Sequence, residues 1–172
     1  MKKIILLVLI VGFGFASCVR QPLGREEEND DSLGRLVLKL NDTVVFDKSF
    51  DGQFYWIKSR DMISFQYAEN NEAALEGQIL HIPPLHETYP ITDTMGTGHG
   101  TYIFIVGKSE NLTTPDGQRL YNLMAVSGSF SHTEEKSFHG EGQCMILYSD
   151  NWNDFGFYNF ELDVKVAKIV EE

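Results

Sequence analysis

Apolar and polar residues alternate in short runs along most of the chain after residue 34. The clearest run covers residues 160–166, in which four apolar side chains alternate with three charged ones. Side chains at alternate positions of a strand point to opposite faces of a sheet. The run therefore predicts a strand with one face on a core and the other in water. The apolar set is Phe160, Leu162, Val164 and Val166, and the charged set is Glu161, Asp163 and Lys165.

A hairpin is predicted where this alternation begins. Leu36, Leu38 and Leu40 occupy alternate positions, Asn41-Asp42 supplies a turn, and residues 43–46 return along the first strand. The same period-two pattern predicts further strands at residues 63–67 and 121–125, and a short run of strand-forming residues predicts another at 102–106.

Helical patterns are weak throughout the chain. The best candidate, residues 70–78, is short, lacks capping residues and runs into Gly77. Connections such as Asn41-Asp42 and Pro115-Asp116-Gly117 are too short to join parallel strands. The sequence therefore predicts a single all-β domain over residues 34–172, built as an antiparallel β-sandwich or a small β-barrel.

The first 17 residues have the layout of a secretory signal peptide. Two lysines give a positive start, residues 4–15 are apolar or glycine, and the small residues Ala16 and Ser17 precede Cys18. A transmembrane anchor is the alternative, but a spanning helix needs about 20 apolar residues, which is more than this run provides. We therefore expect cleavage after residue 17.

Cys18 is the predicted site of a lipid anchor. Phe15-Ala16-Ser17-Cys18 resembles the lipobox of bacterial lipoproteins, with Phe15 where leucine is usual. The resemblance implies that Cys18 is diacylated and attached to the lipid bilayer, and two acyl chains anchor a protein stably. Residues 18–33 are then a disordered acidic tether. This tether resembles a surface-export signal of Bacteroidota lipoproteins, so we expect the outer membrane, on its periplasmic side or at the cell surface.

The balance of charges excludes some partners. The chain has 14 Lys and Arg residues against 25 Asp and Glu residues, which gives a formal net charge of −11. Nucleic acids and anionic lipid headgroups are repelled by such a surface. We therefore expect no nucleic-acid partner, and the acidic surface favours solubility.

Cys144 is the only cysteine besides Cys18. If Cys18 is acylated, Cys144 has no disulfide partner within the chain. It lies in the strand-like residues 143–148, and unpaired cysteine is among the most frequently buried residue types. We expect a buried thiol with no chemical role.

Three short motifs follow the predicted hairpin along the chain. They are Tyr89-Pro90-Ile91, Gly100-Thr101-Tyr102 and Val126-Ser127-Gly128-Ser129-Phe130. In this order they resemble the small β-sandwich or lipocalin-like exported lipoproteins of gut Bacteroidota, many of which are assigned only to families of unknown function. The resemblance covers most of residues 34–170. It implies a fold and a habitat, and it supplies no catalytic residue.

Two pairs of residues that contain histidine are the main candidates for a metal or acid–base site. His81 and His86 flank two prolines, and His139 and Glu141 share a face if they lie in a strand. Neither pair has a third ligand fixed nearby. Surface histidines beside a loop or a bulged strand explain the same residues.

Two loops are further candidates for binding ions or phosphates. The glycine-rich residues 95–101 lack the Lys-Ser/Thr pair of a phosphate-binding loop. Residues 150–154 offer several oxygen ligands without the spacing of an EF-hand. The sequence therefore predicts no catalytic residue, no metal and no cofactor, and an enzyme is the less expected class.

Aromatic residues cluster in two stretches, which favours a binding function. Phe54-Tyr55-Trp56 are consecutive, so at least one of these rings faces away from the core. Residues 152–160 contain five more aromatic residues. Exposed rings stack on sugars, peptides or partner proteins, whereas core packing explains buried ones. The predicted ligand-binding residues are Tyr55, Trp56, Trp152 and Tyr158.

Three classes of function remain open from the sequence. The first is a lipid-anchored binding module for a glycan, a small apolar ligand or an envelope protein. The second is a structural or accessory lipoprotein of an envelope complex, and a hydrolase is the third. An exposed aromatic cluster beside a concave face favours the first class, and a flat edge without a pocket favours the second. Histidines and carboxylates that converge in a cleft favour the third.

Three positions match a weak modification motif. Ser32, Thr43 and Thr94 each follow an aspartate and precede an apolar residue. This arrangement resembles the O-glycosylation motif of exported Bacteroidota proteins, so the three hydroxyls are predicted glycosylation sites.

Overall fold

Strands make up most of residues 33–50, 53–69, 72–93 and 100–171, which are the residues that the computed structural model describes. The predicted signal peptide, Cys18, Ser32 and Thr94 lie outside these residues. One 3-10 turn, Lys58–Arg60, occurs within them. The strands are β1 (Gly34–Leu40), β2 (Thr43–Phe50), β3 (Phe54–Ile57), β4 (Met62–Glu69), β5 (Glu72–Leu80), β6 (Thr88–Pro90), β7 (Tyr102–Gly107), β8 (Asn122–Glu134), β9 (Ser137–Leu147), β10 (Phe155–Lys165) and β11 (Lys168–Val170).

All of these strands belong to one sheet, which curls into a half-barrel. Hydrogen bonds arrange it in the order β11-β3-β4-β5-β7-β8-β9-β10-β1-β2, with β6 beside β8. The described ranges contain no α-helix. The predicted fold class, all-β and mostly antiparallel, is therefore confirmed, and its strands form one sheet curled into a half-barrel.

The connection between the last two strands requires the sheet to curl. β10 ends at Lys165 and β11 begins at Lys168, yet β11 pairs with β3, six places from β10 in the order of strands. Three residue steps span about 10 Å, so β3 must approach the end of β10. The Ala167 N–H donates to the carbonyl of Phe54 at 3.1 Å at this crossing. β11 consequently runs parallel to β3, an exception to the predicted antiparallel arrangement of the other strand pairs.

The core fills the concave side of the sheet. Leu36, Leu38 and Leu40 of β1 are all 0 % exposed, as the alternation predicts. Fully burying one such side chain contributes about 2 kcal/mol. Phe50 of β2 stacks on Phe54 of β3 with ring centroids 4.8 Å apart. Because β2 and β3 are not hydrogen-bonded neighbours, this stack joins the two ends of the curled sheet.

The predicted turn of the first hairpin is confirmed. Asn41 and Asp42 have φ angles of 45° and 63°, the left-handed pair that a two-residue type I′ turn requires. Asparagine and aspartate tolerate this region better than other residues with a Cβ atom. Thr43, the predicted glycosylation site within the described residues, follows this turn and is exposed.

Two glycines face each other across β8 and β9. Gly128 and Gly142 are paired in register, with φ angles of 132° and 150°. A Cβ atom on either residue would collide with a backbone carbonyl oxygen of the opposite strand. The two strands therefore approach and bend here in a way that only glycine permits. A bulge between Ala125 and Ser127 adjoins this point.

The weak helical candidate at residues 70–78 is largely strand β5. Leu75 and Ile79 are fully buried on its inner face, and Gly77 between them packs beneath the ring of Phe65. Because glycine has no side chain, the apolar alternation of β5 is interrupted at this position and is not apparent from the sequence. A larger residue at position 77 would collide with the Phe65 ring.

Candidate functional site

Three large aromatic side chains are exposed at the start of β10 and in the loop before it. Trp152 is 67 % exposed, Phe157 is 60 % exposed and Phe155 is 43 % exposed. Phe155 and Phe157 lie on the convex face of β10, because Tyr158 and Phe160 occupy the alternate positions that point to the core. We call Trp152, Phe155 and Phe157 the aromatic platform.

The loop that carries Trp152 is held by its own side chains. The Ser149 hydroxyl donates to the Asp154 carboxylate at 3.2 Å and accepts the N–H of Asn151 at 3.2 Å. The side-chain oxygen of Asn151 accepts the N–H of Asn153 at 3.1 Å, an Asx turn. Trp152 therefore lies in an ordered turn, and binding of a ligand to its ring would lose little conformational entropy of the loop.

The platform continues onto the neighbouring strands. The rings of Phe155 and Phe157 meet edge to face with centroids 5.6 Å apart. Phe157 is paired in register with Met145 of β9, which is itself paired with Met124 of β8. Both methionines are half-buried on the same convex face. Apolar surface therefore runs across three strands behind the exposed rings.

Polar side chains brace the strand beneath the platform. Tyr158 is 7 % exposed, and its hydroxyl donates to the Asp116 carboxylate at 2.9 Å. The Tyr148 hydroxyl, 2.8 Å from that of Tyr158, must therefore donate to it. Thr114 also donates to Asp116, at 2.7 Å. The bonds from Thr114 and Tyr158 lower the pKa of Asp116, while burial, followed by the bonds to Tyr148 and Asp116, raises the pKa of Tyr158.

The predicted site residues do not come together. Trp56 points inward, where its ring packs edge-on against His132 at 5.1 Å and Phe138 at 5.4 Å. Tyr55 lies half-exposed on the convex face of β3, six strands from β10 in the sheet order. Tyr158 is buried beneath the platform, and Trp152 alone of the four predicted residues is exposed.

Phe155 and Phe157 were not among the predicted site residues, although the sequence contains the signal for them. They stand an odd number of positions from Phe160, Leu162 and Val164, so the alternation that marks the core also places them outside it. By the same rule, Tyr158 shares the inner face with Phe160.

A groove opens on the convex face next to the platform. It has a volume of about 430 Å³ and lies where β8 and β9 bend at the two paired glycines. Seven of its ten lining residues have polar side chains. They are Asp42, Ser127, Ser129, Glu141, Gln143, Asn159 and Glu161. We call this region the polar groove.

The histidine pairs do not form a metal centre. The Nδ1 atom of His139 lies 2.7 Å from the Asp163 carboxylate, and its Nε2 atom lies 4.0 Å from Glu141. His81 lies 3.5 Å from the carboxylate of Asp61. Among the described residues, no three His, Cys, Asp or Glu side chains are grouped so that they could hold a metal ion.

Cys144 is buried and unpaired, as the sequence predicts. Burial raises the pKa of its thiol to about 12. The nucleophilic thiolate is therefore scarce at neutral pH, which fits a packing role.

Within the described ranges, no helix is long and apolar enough to cross a bilayer. No protein-family model matches the chain, and no curated protein or solved structure matches it significantly.

Proposed function

We propose that this protein is a lipid-anchored binding module that holds a glycan on the aromatic platform. The observation that supports the proposal most strongly is the exposure of Trp152, Phe155 and Phe157 on an ordered loop and the adjoining strand. None of these rings packs in the core, since Phe155 and Phe157 lie on the opposite face of the sheet and Trp152 lies in a loop. An aromatic face gives a sugar ring a flat stacking surface.

The surroundings of the platform favour a glycan over a small apolar ligand. Apolar small molecules bind in concave pockets that cover most of their surface, whereas this platform is open. Polar side chains surround Trp152 in the loop, and sugar hydroxyls need such donors and acceptors once their rings are stacked. These side chains are Asp150, Asn151, Asn153 and Asp154, all exposed.

The proposed location follows from the N-terminal sequence. A diacylated Cys18 would anchor the protein in the outer membrane, and residues 19–33 would separate the domain from the bilayer. The Cys18→Ala variant should then be released from membranes or remain unprocessed. If it still partitions with detergent like the natural protein, the anchor proposal is wrong.

Affinity electrophoresis through gels that contain soluble neutral polysaccharides tests glycan binding. We expect at least one polysaccharide to retard the protein, and Trp152→Ala to weaken that retardation about tenfold, which corresponds to roughly 1.4 kcal/mol. Trp56→Phe is the matched control. It alters the other tryptophan, whose buried Nε1 atom has no hydrogen-bond partner within the described residues, and it should bind normally. Equal retardation of Trp152→Ala and the natural protein would contradict the proposal.

A further inference from the structure

The polar groove and the aromatic platform form one continuous surface along β10. Phe155, Phe157, Asn159 and Glu161 alternate with core residues, so all four point to the convex face. The first two belong to the platform and the last two line the groove. Phe157 and Glu161 are separated by about 13 Å along the strand, a distance that several linked sugar units can cover.

We propose that the polar groove is a second subsite for the same glycan, and that the ligand is a neutral oligosaccharide lying along β10. This inference rests on the proposed function, and it adds the length and the charge class of the ligand. The platform holds one sugar by stacking, and the groove binds the following units through their hydroxyl groups.

Amide side chains supply the hydrogen-bonding capacity of the groove. Gln143 and Asn159 are paired in register on β9 and β10, and both are exposed. Within the described chain, neither side-chain amide has a hydrogen-bond partner. Each offers two donors and one acceptor oxygen, which suits the hydroxyls of a sugar. They lie between Phe157 and Glu161, at the junction of the two subsites.

Charge in the groove selects against anionic sugars. Asp42, Glu141 and Glu161 line it, and Lys39 forms an ion pair with Glu161, with its Nζ atom 2.5 Å from that carboxylate, and also attracts Asp42. Three carboxylates against one lysine leave the groove with a net negative charge. It would therefore repel a uronate, a sialic acid or a sulfate group, while its carboxylates accept hydrogen bonds from neutral hydroxyls. The acidic chain as a whole acts in the same direction.

The backbone keeps the groove in place. Gly128 and Gly142 bend β8 and β9 at its floor, and the Asn159 N–H donates to the side-chain oxygen of Asn41 at 3.0 Å. The first hairpin is thereby tied to β10 beside Asp42. A groove built on paired strands is pre-organised, so little ordering cost opposes ligand binding.

An array of neutral oligosaccharides from monosaccharide to hexasaccharide, each beside its uronic, sialylated or sulfated counterpart, tests the proposal with the full exported protein. We expect affinity to rise with length for the neutral series and to be lower for the anionic counterparts. The double variant Gln143→Ala, Asn159→Ala should lose about tenfold in affinity for the longer oligosaccharides, because two hydrogen-bonding groups are removed. Its affinity for monosaccharides should not change.

The controls separate this inference from the proposed function. Gln66→Ala removes an exposed amide on β4, far from the groove in the sheet order, and should bind every glycan normally. If Trp152→Ala loses binding while the double variant binds all lengths as the natural protein does, the groove proposal is refuted and the platform stands. Stronger binding of the anionic counterparts would also refute it. If the natural protein binds no glycan, both proposals fail.

Discussion

Trp56 and Trp152 lie in two aromatic-rich stretches of the chain, and their surroundings differ in nearly every respect. Trp56 sits on a short strand with its ring against His132 and Phe138, whereas Trp152 projects from a loop with most of its surface in water. The Trp56 ring is partly buried and packs against the core, whereas the Trp152 ring lies at the surface. Composition alone cannot separate these roles, since both stretches contain a tryptophan beside other large rings.

The difference shows what decides whether an aromatic cluster is exposed. In residues 54–57, the strand places two rings inward and Tyr55 outward. Trp152 lies in the loop before β10, so the inward and outward alternation of a strand does not apply to it. In β10 itself, Phe155 and Phe157 point outward. Exposure therefore follows from the position within a strand or loop, and it can be tested at each tryptophan separately.

The largest expected effect is on stability when each tryptophan is truncated. Trp56→Ala should lower the free energy of unfolding by about 3 kcal/mol, because it leaves a cavity beside two rings. Trp152→Ala should change it by no more than about 0.5 kcal/mol, as is usual for surface positions. Urea unfolding of both variants measures the two values. Similar losses at both positions would show that Trp152 is part of the core.

A smaller effect is expected from the polar support beneath the platform. Tyr158→Phe removes a buried hydroxyl that donates to Asp116 and accepts from Tyr148, so it should cost about 1 kcal/mol near neutral pH. Tyr55→Phe is the control in the other stretch, since the Tyr55 hydroxyl makes no hydrogen bond within the described residues. It should leave stability unchanged.

The stability change caused by Tyr158→Phe should depend on pH. The bonds from Thr114 and Tyr158 lower the pKa of Asp116 below its ordinary value of 3.8. Stability from a carboxylate with a depressed folded-state pKa is complete above the unfolded-state value and is lost as the pH falls through the folded-state value. The difference between the natural protein and Tyr158→Phe should therefore be constant between about pH 5 and pH 9 and shrink below about pH 4. A difference that grows in acid would contradict the assigned bond.

The smallest expected effect is spectroscopic and leaves the fold intact. Trp56→Phe leaves Trp152 as the only tryptophan, and Trp152→Phe leaves Trp56. Acrylamide should quench the emission of Trp152 several-fold more strongly than that of Trp56, because only Trp152 is open to solvent over most of its surface. Equal quenching constants would remove the contrast between the two stretches.

Alternation along the chain predicted much of the fold. It placed Leu36, Leu38 and Leu40 in the core, and the turn-forming pair Asn41-Asp42 between two strand patterns predicted the first turn. These features depend only on near neighbours in the chain. Strand β5 has Gly77 on its inner face, so the apolar alternation that marks the other strands is interrupted there. The glycine leaves room for the ring of Phe65, which is distant in the chain.

Long-range pairing and the candidate site were harder to predict. The parallel pairing of β11 with β3 depends on how far the whole sheet curls, and no local pattern encodes that curl. Local alternation does place Phe155 and Phe157 outside the core. The polar groove, however, brings Asp42 next to residues from β8, β9 and β10, more than 80 positions away in the chain. Only the register of paired strands reveals that neighbourhood.

The pairing of β1 with β10 has a consequence for how the protein folds. Leu36 lies opposite Val164, and Leu40 lies opposite Phe160, so the first strand of the sheet is completed by one of the last. The chain between β1 and β10 must close into a loop of more than 100 residues before this pairing contributes any stability. Chains dominated by such distant pairings fold in milliseconds to seconds, more slowly than chains rich in local contacts. During synthesis, the hairpin of β1 and β2 can therefore pair with β10 only after β10 has emerged, and the half-barrel closes late.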